Sequence, residues 1–354
     1  MSACCSCWAG RWAAAQPSRR AGAASVRRLG AARRSKGSSH RPRCDAASRA
    51  SASEAGVGRP PTPEEPTTPL RRVPRAAQFQ QKIAQSFDAR APSYEEGNTY
   101  HPAHANRVVQ LAALQPGERV LDVGCGTGLV ALPAAKAVGP GGKVTGVDLS
   151  DGMIHQAALR AQEQGVTNVR FLAADIEGCD FTDGRFDAIL CSNALPFLTE
   201  IPAALAMLRR WLRPGGRLVF NVPKGFASRA FTVFADVLAR RGLQLDDPSA
   251  LFAKEDSVRS MLAAAGFASV DISASEEQAP RRGRPPAEWA AAGWAQCTAL
   301  PFADLAAVLD GEAVEQLRRE YLAQAEAVAA QFVTPEGDVA EPFHMLWVVA
   351  WAPE

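Results

Sequence analysis

The chain has 354 residues, 47% of them hydrophobic and 21% charged, proportions that exclude a disordered or fibrous protein. The formal net charge is +2, but residues 1–60 hold 12 Lys and Arg against two acids, Asp45 and Glu54, so the rest of the chain carries about −8. A body of that sign argues against nucleic acid as the main partner, because phosphate binding needs a basic face.

Residues 1–60 are rich in Ala, Ser and Arg, and the Pro/Thr/Glu stretch RPPTPEEPTTP follows. Such a composition buries too little apolar surface to order itself and has the character of an organelle transit peptide. The abundance of Ser and the RPRCDAAS stretch point to a plastid, with a mitochondrion as the second address; a basic tail that stays attached is the alternative reading. No run approaches the roughly 18 consecutive apolar residues of a transmembrane helix, and the N-terminal stretch lacks the apolar block of a secretory signal. Residues 61–76 read as a linker. Cys125, Cys179, Cys191 and Cys297 are scattered through the body without a CxxC pair, so neither a disulfide framework nor a metal site is expected.

Residues 77–118 carry two helical patterns joined by the loop ARAPSYEEGNTYHPAH, expected to form a lid. From Arg119 the chain alternates short apolar runs with helix-period segments, the signature of a parallel sheet with crossover helices. Five strands are predicted at 119–124, 143–148, 169–174, 186–192 and 216–222. The helices between them are closed by Gly139-Pro140-Gly141-Gly142, by Gly165 and by Pro214-Gly215-Gly216. The fold class is thus α/β, Rossmann-like and doubly wound. Residues 224–354 break the alternation: the insertions near 224–250 and 279–341 have no place in the sheet and are expected to cap the carboxyl ends of its strands, where open α/β sheets bind ligands.

The stretch VLDVGCGTG, Val120 to Gly128, ends a strand and opens a helix. Gly124, Gly126 and Gly128 allow a tight turn and close approach of a ligand. Their spacing is GxGxG rather than the GxGxxG of dinucleotide sites, which favours a nucleoside without a pyrophosphate. Asp148, twenty residues beyond Gly128 at the end of the second strand, is placed to accept ribose hydroxyls. Asp175, with Ile176 beside it, follows the third strand and is placed to accept from an adenine amino group; Met153 is placed to pack on the ribose or the base.

VLDVGCGTG followed by GVDLSDGMI and FLAADIE resembles the class I S-adenosylmethionine-dependent methyltransferases, and within them the type 11 group related to ubiquinone/menaquinone methyltransferases. The likeness is strong over 119–223, the expected cofactor-binding core. It implies S-adenosylmethionine as cofactor, with Asp122 and the glycine loop, including Cys125, at its methionine end. Asp148, Leu149 and Met153 then lie on the ribose side, Asp175 and Ile176 at the adenine, and Asn193 at the methyl-donor end. It also implies seven strands, with FASVDISAS and FHMLWVVAWA as the last two and the final one antiparallel.

In-line methyl transfer is mainly a matter of holding nucleophile, methyl and sulfur collinear, so no catalytic residue is assigned; Tyr100, His101, His104 and His344 are the candidate bases. Trp289 and Trp294 are equally suited to a pocket wall or to a cap core. The leading expectation is a methyltransferase acting on a small organic acceptor, with quinone, tocopherol, tetrapyrrole-related and phenolic compounds in view. A protein or nucleic-acid methyltransferase and a non-catalytic cofactor-binding protein are the alternatives. Nothing in the sequence speaks to the oligomeric state.

Overall fold

The computed structural model describes residues 71–73, 78–95, 100–224, 228–245, 248–278, 284–299 and 303–354. These fall in one compact unit, Glu65–Glu354, and the transit-peptide assignment lies outside the described residues. Seven strands form the main sheet: β2 (Arg119–Val123), β3 (Lys143–Asp148), β4 (Val169–Ala173), β5 (Phe186–Ser192), β6 (Leu212–Pro223), β8 (Ser269–Gln278) and β9 (Pro342–Trp351). Their order is β4-β3-β2-β5-β6-β9-β8. Pairing is parallel from β4 through β6, and β9 runs antiparallel between β6 and β8. A separate two-stranded parallel ribbon joins β1 (Arg71–Val73) to β7 (Leu243–Leu245). The stretch 61–76 is therefore not linker throughout: its residues 71–73 find backbone partners 172 positions away or more, and short-range sequence pattern holds no trace of such a pairing.

The central strands are near-continuous apolar runs because both faces of the sheet are covered. Side chains alternate between faces. Leu121, Val123, Ile189 and Phe220 pack on one side with Leu205, Leu208 and Trp211 of α5 (Ile201–Trp211) and with Val258 and Leu262 of α7 (Glu255–Ala264). Val120, Ala188, Leu190 and Val219 pack on the other with α2 (Tyr100–Ala112) and α3 (Ala131–Val138). Helix α4 (Asp151–Glu163) crosses from β3 to β4, and Ser150 caps its N-terminus by accepting the Met153 N–H at 3.0 Å.

Pro214-Gly215-Gly216 does not stand before the strand as expected. Leu212 already pairs with Phe186 while Arg217 pairs with Ala188, so the breaker is a bulge inside β6. Beyond it, Arg217 forms a two-pronged ion pair with Glu118, at 2.9 and 2.8 Å. It also donates to the carbonyls of Ala112 and Ala113 at the end of α2. A cation at a helix C-terminus satisfies carbonyls the helix leaves open, and here it pins α2 so that its other end, with Tyr100 and His101, reaches over the strand ends.

The insertions form the expected helical cap. Helices α6 (Arg229–Ala239), α8 (Pro286–Ala299) and α9 (Gly311–Ala329) share a core of their own that includes Phe234, Leu238, Leu317 and Tyr321. Trp294 belongs to this core, edge-on to Phe234 at 5.8 Å. Among the described residues no helix is long and apolar enough to cross a membrane.

Candidate functional site

Strand order reverses between β2 and β5: the chain leaves β2 toward β3 and leaves β5 toward β6. The loops above those two strands part there, and a crevice opens at the carboxyl ends, as in other doubly wound sheets. Gly124 makes the parting possible. A Cβ on it would lie 2.4 Å from the Cβ of Ala194 in the loop after β5, so any side chain would force the loops apart. The crevice widens into a cavity of about 870 Å³, near the upper end of the 300–1,000 Å³ usual for small-molecule sites.

Nine of the eleven residues expected at the cofactor line this cavity: Gly124, Cys125, Gly126, Asp148, Leu149, Met153, Asp175, Ile176 and Asn193. Asp148 is its electrostatic centre. One carboxylate oxygen accepts the Gly126 N–H at 2.8 Å and the other the Ser150 N–H at 2.9 Å, which leaves each oxygen a lone pair for ribose hydroxyls. Burial raises the Asp148 pKa, and those two N–H groups oppose the shift. Asp175 accepts the Glu177 N–H at 2.9 Å through Oδ1, and Met153 is 1% exposed against the cavity wall.

Asp122 and Gly128 stand behind the wall rather than in it. Alternation along β2 turns Asp122 to the face shared with Val120, under α3, where it is 1% exposed. Among the described residues neither of its oxygens has a hydrogen-bond partner. Burial pushes its pKa up to about 8, nearby Asp148 adds to this, and the Ala131 N–H opposes it only in part. Gly128, at φ +87°, would bring a Cβ within 3.2 Å of Leu132; its role is to let α3 close down on the loop.

Residues 78–95, within the segment expected to form a lid, close the cofactor end as a roof, through contacts that local pattern does not announce. Helix α1 (Phe79–Asp88) ends on Asp88, whose Oδ1 accepts the Ser150 hydroxyl at 2.5 Å and the Gly152 N–H at 2.9 Å. Glu95 accepts from Thr127 in the glycine loop and from Arg160 on α4. Glu177 accepts from the Gln80 amide at 3.1 Å and from the Thr199 N–H at 2.8 Å. The only sequence hint of this roof was the helical pattern over 77–114; its partners lie 32 to 97 residues apart. Tyr94 stacks on His101 at 5.1 Å, and burial pushes its phenol up to about 12.

Of the candidate bases, Tyr100 and His101 line the cavity, whereas His344 is exposed on β9. His104 is buried below the cavity. Its Nδ1 receives the Asn221 amide at 3.1 Å and lies 3.3 Å from Asn193. Burial lowers its pKa, so it stays neutral and braces Asn193, which is held at φ 57°. Trp289 lines the cavity. Among the described residues no cluster of His, Cys, Asp or Glu is arranged to hold a metal.

The sequence matches the family described as a methyltransferase domain over residues 120–216. It is 31% identical over 226 residues to a ubiquinone/menaquinone biosynthesis C-methyltransferase of Pseudomonas putida, covering 57% of this chain and 88% of that protein. The chain belongs to the class I S-adenosylmethionine-dependent methyltransferases, in the UbiE-like group. It is also 35% identical over 146 residues to an aklanonic acid methyltransferase of a Streptomyces species, covering 41% of this chain and 66% of that one. Across three of the curated relatives it matches, the chain spans 49% to 66% of their length. The YcgJ protein of Bacillus subtilis shares the fold, with a TM-score of 0.50 at 19% identity, over 72% of this chain and 100% of that one.

S-adenosylmethionine, the cofactor of this family, fits the residues present. Asp148 and Asp175 keep acceptor capacity facing the cavity, and the glycine loop presents backbone at its floor. Asp148→Ala removes both the ribose acceptors and the anchor of Gly126. We expect it to weaken S-adenosylhomocysteine about 100-fold in calorimetry with unchanged circular dichroism; affinity within a factor of two of the wild type refutes the assignment.

Asp122 also sets a pH dependence. Its folded pKa of about 8 lies above the ordinary 3.8, so between those values the folded chain holds a proton that the unfolded chain releases. Stability from this group therefore falls as pH rises from about 4 to about 8. Without cofactor at pH 8.5, Asp122→Asn should melt at least about 4 °C above the wild type, the gap narrowing as pH is lowered to 5. Parallel melting profiles for the two proteins would show that Asp122 is not held protonated.

Proposed function

We propose that this protein transfers the methyl group of S-adenosylmethionine to a small organic acceptor enclosed between the sheet and the helical cap. One observation carries the reading: a single cavity runs from the cofactor residues Asp148 and Asp175 to the cap residues Phe231 and Trp289. When bound, the cofactor supplies a methyl group already activated on a sulfonium, so the protein's task is positioning and exclusion of water. Tyr94, Tyr100, Phe231, Trp289 and Phe343 give the cavity aromatic walls, which suit a ring-bearing acceptor. The names of the relatives, an aklanonic acid methyltransferase and a ubiquinone/menaquinone biosynthesis C-methyltransferase, support an acceptor of this kind. Neutral His104, through Asn193, stiffens the loop after β5, where methyl donor and acceptor would meet.

Labelling decides it. The full-length chain is given S-adenosylmethionine carrying a labelled methyl group together with a fractionated extract of the source organism. Label should appear in organic-soluble or small-molecule fractions. Label confined to protein or nucleic acid overturns the enclosed-acceptor reading, and cofactor binding without label in any fraction points to a non-catalytic role.

The composition of residues 1–60 supports a plastid address. Fused to a fluorescent protein, that segment should deliver signal to plastids; diffuse cytosolic fluorescence would refute the address, and mitochondrial signal would replace it with the second one.

A further inference from the structure

Among the described residues, the cap side of the cavity contains one carboxylate with no part in holding the cofactor. Glu341 precedes β9 and is 3% exposed, yet it forms part of the cavity wall. Because β9 runs antiparallel to β6, with Met345 opposite Pro223, the residues just before β9 rise above the carboxyl ends of the strands. Glu341 thus stands over the same rim as Asn193. Its Oε2 accepts the Arg229 N–H at the start of α6, at 3.1 Å; among the described residues its Oε1 has no partner. The Arg229 guanidinium is drawn aside, 4.5 Å over the ring of Phe332. Of the cavity-lining residues that follow β6, the charged ones are Glu341 and Arg284, while Phe231, Trp289 and Phe343 supply aromatic surface. A buried carboxylate with an unoccupied oxygen is costly unless a donor meets it. A hydroxyl carried by an acceptor in this chamber is a donor that can meet it.

We propose that Glu341 is a catalytic residue on the acceptor side, its Oε1 receiving first a hydrogen bond and then the proton of a hydroxyl carried by a ring-bearing acceptor, a phenol being the simplest case. This rests on the methyltransferase reading. The hydroxyl proton passes to Oε1, the electron pair left on the acceptor forms the bond to the methyl carbon, and the sulfur–methyl bond breaks with its pair remaining on sulfur as a neutral thioether. Burial, which raises the Glu341 pKa against the pull of Arg229, brings the carboxylate nearer to the neutral range in which a general base works best. Arg229 from α6 and Tyr321 from α9 act on Glu341 electrostatically, and Arg284 faces the same cavity. Burial raises the Tyr321 phenol far above neutrality, so that phenol stays uncharged between pH 6 and 8.

The test uses binding rather than turnover. Equilibrium dialysis compares 2-naphthol with 2-methoxynaphthalene, the same rings without the donor, on the full-length chain with and without saturating S-adenosylhomocysteine at pH 6, 7 and 8. The wild type should prefer 2-naphthol about tenfold at pH 8, since a charged acceptor strengthens the hydrogen bond. Glu341→Gln keeps an oxygen for the Arg229 N–H; its preference should fall below about threefold, with S-adenosylhomocysteine affinity unchanged. His101 and Asp148 also line the cavity, and comparing wild type with variant at each pH cancels their contribution. Equal affinity of the wild type for the two compounds, no binding of either, or a preference that survives in Glu341→Gln overturns the proposal, the first two without recourse to any variant. A wild type that fails to bind S-adenosylhomocysteine refutes the methyltransferase reading instead, and the comparison without that ligand still decides the role of Glu341.

Discussion

The structure depends on the contact between two loops that must touch and yet diverge. Gly124 after β2 and Ala194 after β5 are so close that a single added carbon would collide. That closeness is possible only where neighbouring parallel strands send their connections to opposite sides, which happens once in this sheet. From this point the glycine loop turns toward α3, Asn193 turns toward the cap, and the crevice between them becomes the floor of the cavity. Asp148 fixes one side of the floor by holding Gly126, and Asn221 fixes the other by donating to Asn193 at 2.9 Å.

Carboxylates hold the roof over this floor. Asp88 accepts from Ser150 and Gly152 at the start of α4, Glu95 from the glycine loop and from α4, and Glu177 from α1 and from the loop after β5. Helix α1 and the turn after it are thus attached by charge-assisted hydrogen bonds instead of a deep apolar interface, whereas α2 is packed on the sheet. Phe79 and Ile83 supply only a small buried cluster. A segment attached in this way gives up little apolar contact on lifting, which suits an element that a cofactor must pass beneath. The cap is built differently: α6, α8 and α9 carry their own hydrophobic core and behave as a rigid wall. One side of the cavity is thus hinged by polar contacts and the other is packed.

The division of the wall follows the same logic. The sheet side presents Asp148, Asp175 and backbone N–H groups, which suit a nucleoside. Among the described residues, the cap side presents aromatic rings with the carboxylate of Glu341 and the guanidinium of Arg284.

Much of this was legible in the sequence. The strands from β2 to β6, the glycine turn, Asp148 and Asp175 are local features: a strand, a tight turn and a helix start occupy a few consecutive residues, and alternation or glycine spacing encodes them directly. The cap was legible as residues with no place in the sheet pattern. Other features depended on contacts between residues far apart in the chain. That Asp122 sits behind the wall, that Trp289 faces the cavity while Trp294 fills a core, that Asp88 caps α4 and that Glu341 joins the cavity wall were decided when distant segments met. The pairing of β1 with β7 and the bulge within β6 belong to the same class. Sequence by itself determined the chemistry of the cofactor half, because a nucleoside site is built on successive strand ends. Tertiary structure alone decided the cap side of the cavity, because its wall is assembled from α6, α8 and the start of β9, which only the closing of the sheet brings together.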